Sequence, residues 1–67
     1  MVLFMTKYKV TINWHGEVLT FYTFAKNEKK ALINAMVRLA GSLNCHVRLV
    51  KYYVEDVNAN RWKVEVE

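Results

Sequence analysis

Tyr8, Val10, Ile12 and Trp14 alternate with Lys7, Lys9, Thr11 and Asn13. A period of two, rich in β-branched and aromatic residues, predicts a strand with one sheltered side and one wet side. His15-Gly16 follows as a turn signal, and residues 17–24 resume strand composition from Val18 to Phe24. With His15-Gly16 as a two-residue loop, Trp14 faces Glu17, Ile12 faces Leu19, Val10 faces Phe21 and Tyr8 faces Thr23. The other side pairs Asn13 with Val18, Thr11 with Thr20, Lys9 with Tyr22 and Lys7 with Phe24. A slip of one residue sets Val10 against Thr20 and turns Leu19 and Phe21 outward, so the two-residue loop is favoured.

The period then changes. Asn27 is a good N-cap, with Glu28 in the first turn where the helix dipole favours an anion. Steps of 100° from Glu28 to about Ser42 place Leu32, Ala35, Met36, Leu39, Ala40 and Leu43 along one stripe. Lys30, Asn34, Arg38 and Ser42 fall opposite, and Gly41 and Asn44 mark the end of an amphipathic helix.

Residues 46–55 read as alternating again, with Val50, Tyr52 and Val54 on one side and Leu49, Lys51 and Tyr53 on the other. Residues 61–67 do the same, with Trp62, Val64 and Val66 against Arg61, Lys63, Glu65 and Glu67. Pairing these runs sets Val54 against Trp62, Tyr52 against Val64 and Val50 against Val66. The same register matches Glu55 with Arg61 and Lys51 with Glu65, opposite-charge pairs of about 0.2–1 kcal/mol each. The expected fold is α+β with element order β-β-α-β-β. Two antiparallel hairpins form a sheet, and one amphipathic helix packs on one face. Residues 6–67 form a single small domain, and residues 1–5 a loose or interface-bound segment. Two arrangements of the hairpins stay open: within one sheet, or across a dimer.

Composition adds a constraint on assembly. A core built from 67 residues rarely supplies more than about 3–5 kcal/mol, and small folds often need a staple. One cysteine closes no internal disulfide, and no Cys/His set has zinc spacing. Apolar residues make up 54% of the chain, so self-association is the remaining staple, with a homodimer the first choice. The lone thiol fits a reducing cytoplasm. Residues 1–5 lack the basic flank and apolar run of a secretory signal, and nothing approaches the roughly 20 apolar residues of a membrane span.

Charge is uneven. Residues 1–51 hold eight bases and two acids, whereas residues 52–67 hold two bases and four acids. This permits an anionic partner for the first part of the chain.

The second sheet face carries the candidate chemistry. It is expected to collect Tyr22, Phe24 and Tyr53 with Lys7, Lys9, Lys51, Arg61 and Lys63, beside Val18, Val47 and Leu49. One helix covers one face, so these groups meet water or a partner. Tyr22, Phe24 and Tyr53 are the candidate apolar anchors, with Lys7, Lys9 and Lys63 as a charged rim. The favoured reading is a self-associating, non-enzymatic module that occupies a surface of a macromolecular partner, most simply a protein. The alternative is single-stranded RNA or DNA, with bases stacked on the rings and lysines on the phosphates.

Other features point to ordinary structure. Lys26, Lys29, Lys30 and Arg38 read as a solvated helix face, with no glycine loop to cradle a phosphate. Cys45 and His46, as neighbours on a strand, point to opposite faces and form no nucleophile–base pair. His15 reads as a turn residue. Trp14 and Trp62 sit at the ends of the core-facing rows, as lids or as interface anchors. No catalytic, cofactor or metal residues are assigned.

Overall fold

The computed structural model describes residues 5–67, so the expectation of a loose segment at 1–5 lies, for residues 1–4, outside the described residues. The element order is β1 (Thr6–Trp14), β2 (Glu17–Ala25), α1 (Glu28–Leu43), α2 (Val47–Val54) and β3 (Trp62–Val66). The strands form an open antiparallel sheet in the order β2-β1-β3, and both helices lie on one face. This is a small α+β fold, with three strands and two helices in place of the expected four strands and one helix.

The first hairpin has the register expected from its alternation, from Trp14 opposite Glu17 to Lys7 opposite Phe24. Its loop has positive φ at both positions, 50° at His15 and 88° at Gly16. That geometry twists in the sense the flanking strands need. Asn13 Oδ1 accepts the Gly16 N–H at 2.9 Å and closes the turn.

Asn27 caps α1 with its side chain, accepting from the Lys30 N–H at 2.9 Å. The helix runs to Leu43, two residues past Gly41, and is capped by Asn44, whose left-handed backbone (φ 55°) brings its N–H to the Ala40 and Gly41 carbonyls. Ala31, Leu32, Ala35, Met36, Leu39 and Ala40 are buried, while Leu43 at the end of the expected stripe is exposed.

The second expected hairpin is overturned. Residues 47–54 form a helix, and β3 pairs with β1 instead, with Tyr8 opposite Val66, Val10 opposite Val64 and Ile12 opposite Trp62. An eight-residue run rich in Val and Tyr fits a period of two, but Val47, Val50 and Val54 also stand three and four apart, which is one side of a helix. Burial decides between them: Val50 and Val54 are fully enclosed, Val47 is half-buried, and Tyr52 on the far side is open to solvent. His46 starts the helix, its Nδ1 accepting from the Arg48 N–H at 3.0 Å. Only Asn44, Cys45 and His46 separate α2 from the end of α1, so the chain stays in the helical layer.

The expected ion pairs therefore re-form elsewhere. Lys51 meets Glu55 one helical turn on at 3.9 Å, Arg61 meets Asp56 at 3.7 Å, and Lys63 meets Glu65 at 3.7 Å.

The two readings of residues 47–54 differ in their response to substitution. Tyr52→Ala is expected to leave stability unchanged or raise it by a few tenths of a kcal/mol, because alanine favours a helix and a strand would be weakened. Val50→Ala opens a cavity in the core and is expected to cost about 1–3 kcal/mol. Urea unfolding followed by circular dichroism measures both.

Candidate docking face and aromatic latch

Alternation along the strands sorts the residues into two sides. Tyr8, Val10 and Ile12 are buried beneath the helices. Lys7, Lys9, Thr11 and Asn13 of β1 point the other way, with Val18, Thr20, Tyr22 and Phe24 of β2 and Lys63 and Glu65 of β3. Among the described residues no element covers this second face. Val18 is 65% exposed, Phe24 61% and Tyr22 48%, so the outer strand carries an apolar ridge along the face.

The register places the charges. Lys7 lies opposite Phe24, and its Nζ sits 5.7 Å from the centre of the Tyr22 ring, within reach of a cation–π contact. Lys9 lies between Tyr22 on β2 and Glu65 on β3. The Glu67 N–H donates to the Lys7 carbonyl at 2.9 Å, which continues the ladder and sets Glu67 beside Lys7. Each β1 lysine thus has a carboxylate as its β3 neighbour. Five of the six expected anchor and rim residues share this face: Tyr22, Phe24, Lys7, Lys9 and Lys63.

Tyr53 is the exception, and the reason is the helical course of α2. Its ring is half-buried under the first hairpin, stacked on His15 at 4.2 Å with Trp14 edge-on at 4.9 Å. The Tyr53 hydroxyl accepts from the His15 N–H at 3.2 Å, and the Arg61 guanidinium lies 3.9 Å from the ring centre. Arg61 also donates to the Tyr53 carbonyl at 2.8 Å. These contacts hold the β1–β2 turn and the start of β3 to α2. They also stabilise His15, which would otherwise be a costly residue at positive φ. Lys51, Val47 and Leu49, expected on the sheet face, belong to α2 as well.

The helical cations divide in two. Lys26, Lys29 and Lys30 are exposed around the start of α1. Arg38 is held against β2, donating to the Tyr22 carbonyl at 2.7 Å and lying 5.5 Å from the Phe21 ring centre. Asn34 donates to Thr23 Oγ1 at 3.2 Å on the same edge. Sequence reasoning missed this edge contact, although the placement of Asn34 and Arg38 four residues apart on one helix side was its visible sign.

Cys45 is half-buried and free, and His46 is spent as a helix cap rather than standing on a strand. Among the described residues no group of three or more His, Cys, Asp or Glu side chains gathers where a metal ion would be held. Among the described residues no helix is long and apolar enough to cross a membrane. No protein-family model, curated protein or solved structure matches this chain.

The latch makes a graded expectation. Tyr53→Phe removes one hydrogen bond to an exposed turn and is expected to cost about 0.5–1 kcal/mol. Tyr53→Ala also removes the packing of Trp14, His15 and Arg61 and is expected to cost about 2–4 kcal/mol. Thermal unfolding separates them, since 1 kcal/mol shifts the midpoint of a domain this size by roughly 4–8 °C.

Proposed function

We propose that this chain is a self-associating, non-enzymatic binding module that acts by occupying the surface of a protein partner. Its docking surface is the open sheet face, with Tyr22 and Phe24 as apolar anchors and Lys7, Lys9 and Lys63 as the charged rim. A half-buried free thiol accords with work in the cytoplasm.

The observation that carries this reading is the pairing of an exposed apolar ridge with nearly balanced charge. Val18, Tyr22 and Phe24 offer a hydrophobic strip on a rigid strand, where burial is worth about 25 cal/mol per Å². A nucleic-acid platform needs uncompensated cations to displace counterions from phosphates. Here Glu65 and Glu67 stand beside Lys9 and Lys7, so little positive potential remains on the face. The single-stranded RNA or DNA reading keeps one supporting feature, the two accessible rings next to lysines.

Tyr22→Thr with Phe24→Thr is expected to abolish partner capture while shifting stability by no more than about 0.5 kcal/mol, because both side chains are substantially exposed and threonine suits a strand. Capture by the native chain is expected to survive 0.5 M salt, an experimental condition under which phosphate contacts are lost. Fluorescence anisotropy with labelled single-stranded RNA and DNA supplies the contrary arm. Tight binding that falls steeply with salt and is lost in Lys7→Glu with Lys9→Glu would replace the protein reading with the nucleic-acid one.

A further inference from the structure

The sheet has two outer edges, and they are treated differently. On β2 the outward carbonyls of Tyr22 and Phe24 are taken by Arg38 and Asn34 of α1, at 2.7 and 3.5 Å. These bonds occupy two carbonyls of that edge near its Ala25 end, while the outward backbone groups of Val18 and Thr20 have no partner among the described residues. On β3, Arg61 and Glu67 bond to β1, through Asn13 N–H to Arg61 carbonyl and Glu67 N–H to Lys7 carbonyl. Antiparallel ladders alternate, so Lys63 and Glu65 also turn to β1, and the backbone groups of Trp62, Val64 and Val66 turn outward. Among the described residues nothing pairs with them. The same three residues point their side chains to the helical side, where Trp62 is 40% and Val66 67% exposed.

We infer that the free edge of β3 takes β3 of a second copy, antiparallel and centred on Val64, to make one continuous sheet through two chains. The inference rests on the self-association part of the proposed reading and not on the protein-docking part. Its basis is the self-complementarity of residues 62–66. About Val64, Lys63 of each chain falls opposite Glu65 of the other and Trp62 opposite Val66, while the Arg61 side chain stays on Tyr53 and Asp56 and takes no part.

The register is selected twice over. Outward-turned residues must oppose outward-turned residues, which allows Val64 on Val64 and excludes a slip of one. Shifts centred on Lys63 or on Glu65 meet the hydrogen-bonding rule but set that residue against its own copy, like charge on like charge. The Val64-centred pairing brings opposite charges together on the open face and apolar groups together on the helical face. A two-fold axis through Val64 closes the assembly at two copies, because each chain contributes the same edge. The docking faces of both copies then lie side by side on one surface.

Sedimentation velocity over about 5–500 µM, a range suited to a small interface, tests the pairing. The native chain is expected to dimerise. Val64→Pro removes an outward N–H that β1 does not use, a position where an edge strand tolerates proline, and is expected to yield monomer. Lys63→Glu alone and Glu65→Lys alone each set like charges across the edge twice and are expected to weaken the dimer about tenfold or more. An equimolar mixture of those two variants restores every opposite-charge pair and is expected to restore the dimer. That mixing result holds even should Val64→Pro fail to fold. In a half-labelled native sample, an interchain contact between the Lys63 and Glu65 Hα protons reads the register directly.

A native chain that stays monomeric throughout overturns the inference and the self-association reading together. Dimers that persist in Val64→Pro, ignore charge reversal and dissolve in Tyr22→Thr with Phe24→Thr overturn the edge pairing alone. They would place the second copy on the open face.

Discussion

Everything in this fold depends on β1. It is the strand with neighbours on both edges, and its inward row of Tyr8, Val10 and Ile12 is buried beneath the helices. Met36 of α1 and Val50 and Val54 of α2 complete that layer, all nearly or wholly removed from water. At about 0.8 kcal/mol for each buried methylene, this row is the main favourable term for so short a chain. With both helices on one side of β1, no element among the described residues is left for the other. The open face is therefore a consequence of core building in a small protein, and its composition is what gives it meaning.

How much was legible in the sequence depended on how many independent constraints met at each residue. The β1–β2 hairpin was fixed by a turn signal and by agreement on both of its faces, and its register matches. The α1 stripe was long enough for a period of 3.6 to stand clear of one of 2. Residues 47–54 offered only eight positions, and Val47, Val50 and Val54 satisfy the helical period while Val50, Tyr52 and Val54 satisfy the strand period. Strand propensity favours the second, but packing against α1 and β1 outweighs a preference worth about 1 kcal/mol at most. The misplacement of Tyr53 followed from that single ambiguity. Lys7, Lys9, Tyr22, Phe24 and Lys63 lie on strands whose faces were assigned correctly, and they stayed together.

The placement of β3 changes the chemistry of the candidate site as much as its outline. Pairing with a strand at 46–55 sets Glu65 beside Lys51 and leaves its place relative to Lys7 and Lys9 open. Set against β1, Glu65 and Glu67 become their neighbours. The positive surplus of the first 51 residues is thereby drawn down on the sheet and left on the helical side, at Lys26, Lys29, Lys30 and Arg48. A charge count along the sequence and a charge map of the fold thus point to different partners, and the map is what a partner meets.

The pattern that misdirected the second hairpin is itself informative. Lys63, Glu65, Arg61 and Glu67 look like a strand seeking opposite charges across a ladder, and the match to Lys51 and Glu55 was good enough to be persuasive. Those two residues satisfy each other on α2, and β1 meets the strand on its other edge. A signal for pairing therefore remains on the β3 edge, which has no strand partner among the described residues, while Arg38 and Asn34 occupy two carbonyls of the opposite edge. Positive charge before Val64 and negative charge after it leave an antiparallel copy of the same strand as its natural complement. Edge strands are often guarded by proline, a bulge or charged side chains. β3 carries no proline, and its two charges, Lys63 and Glu65, are opposite in sign, so an antiparallel copy pairs them instead of repelling them.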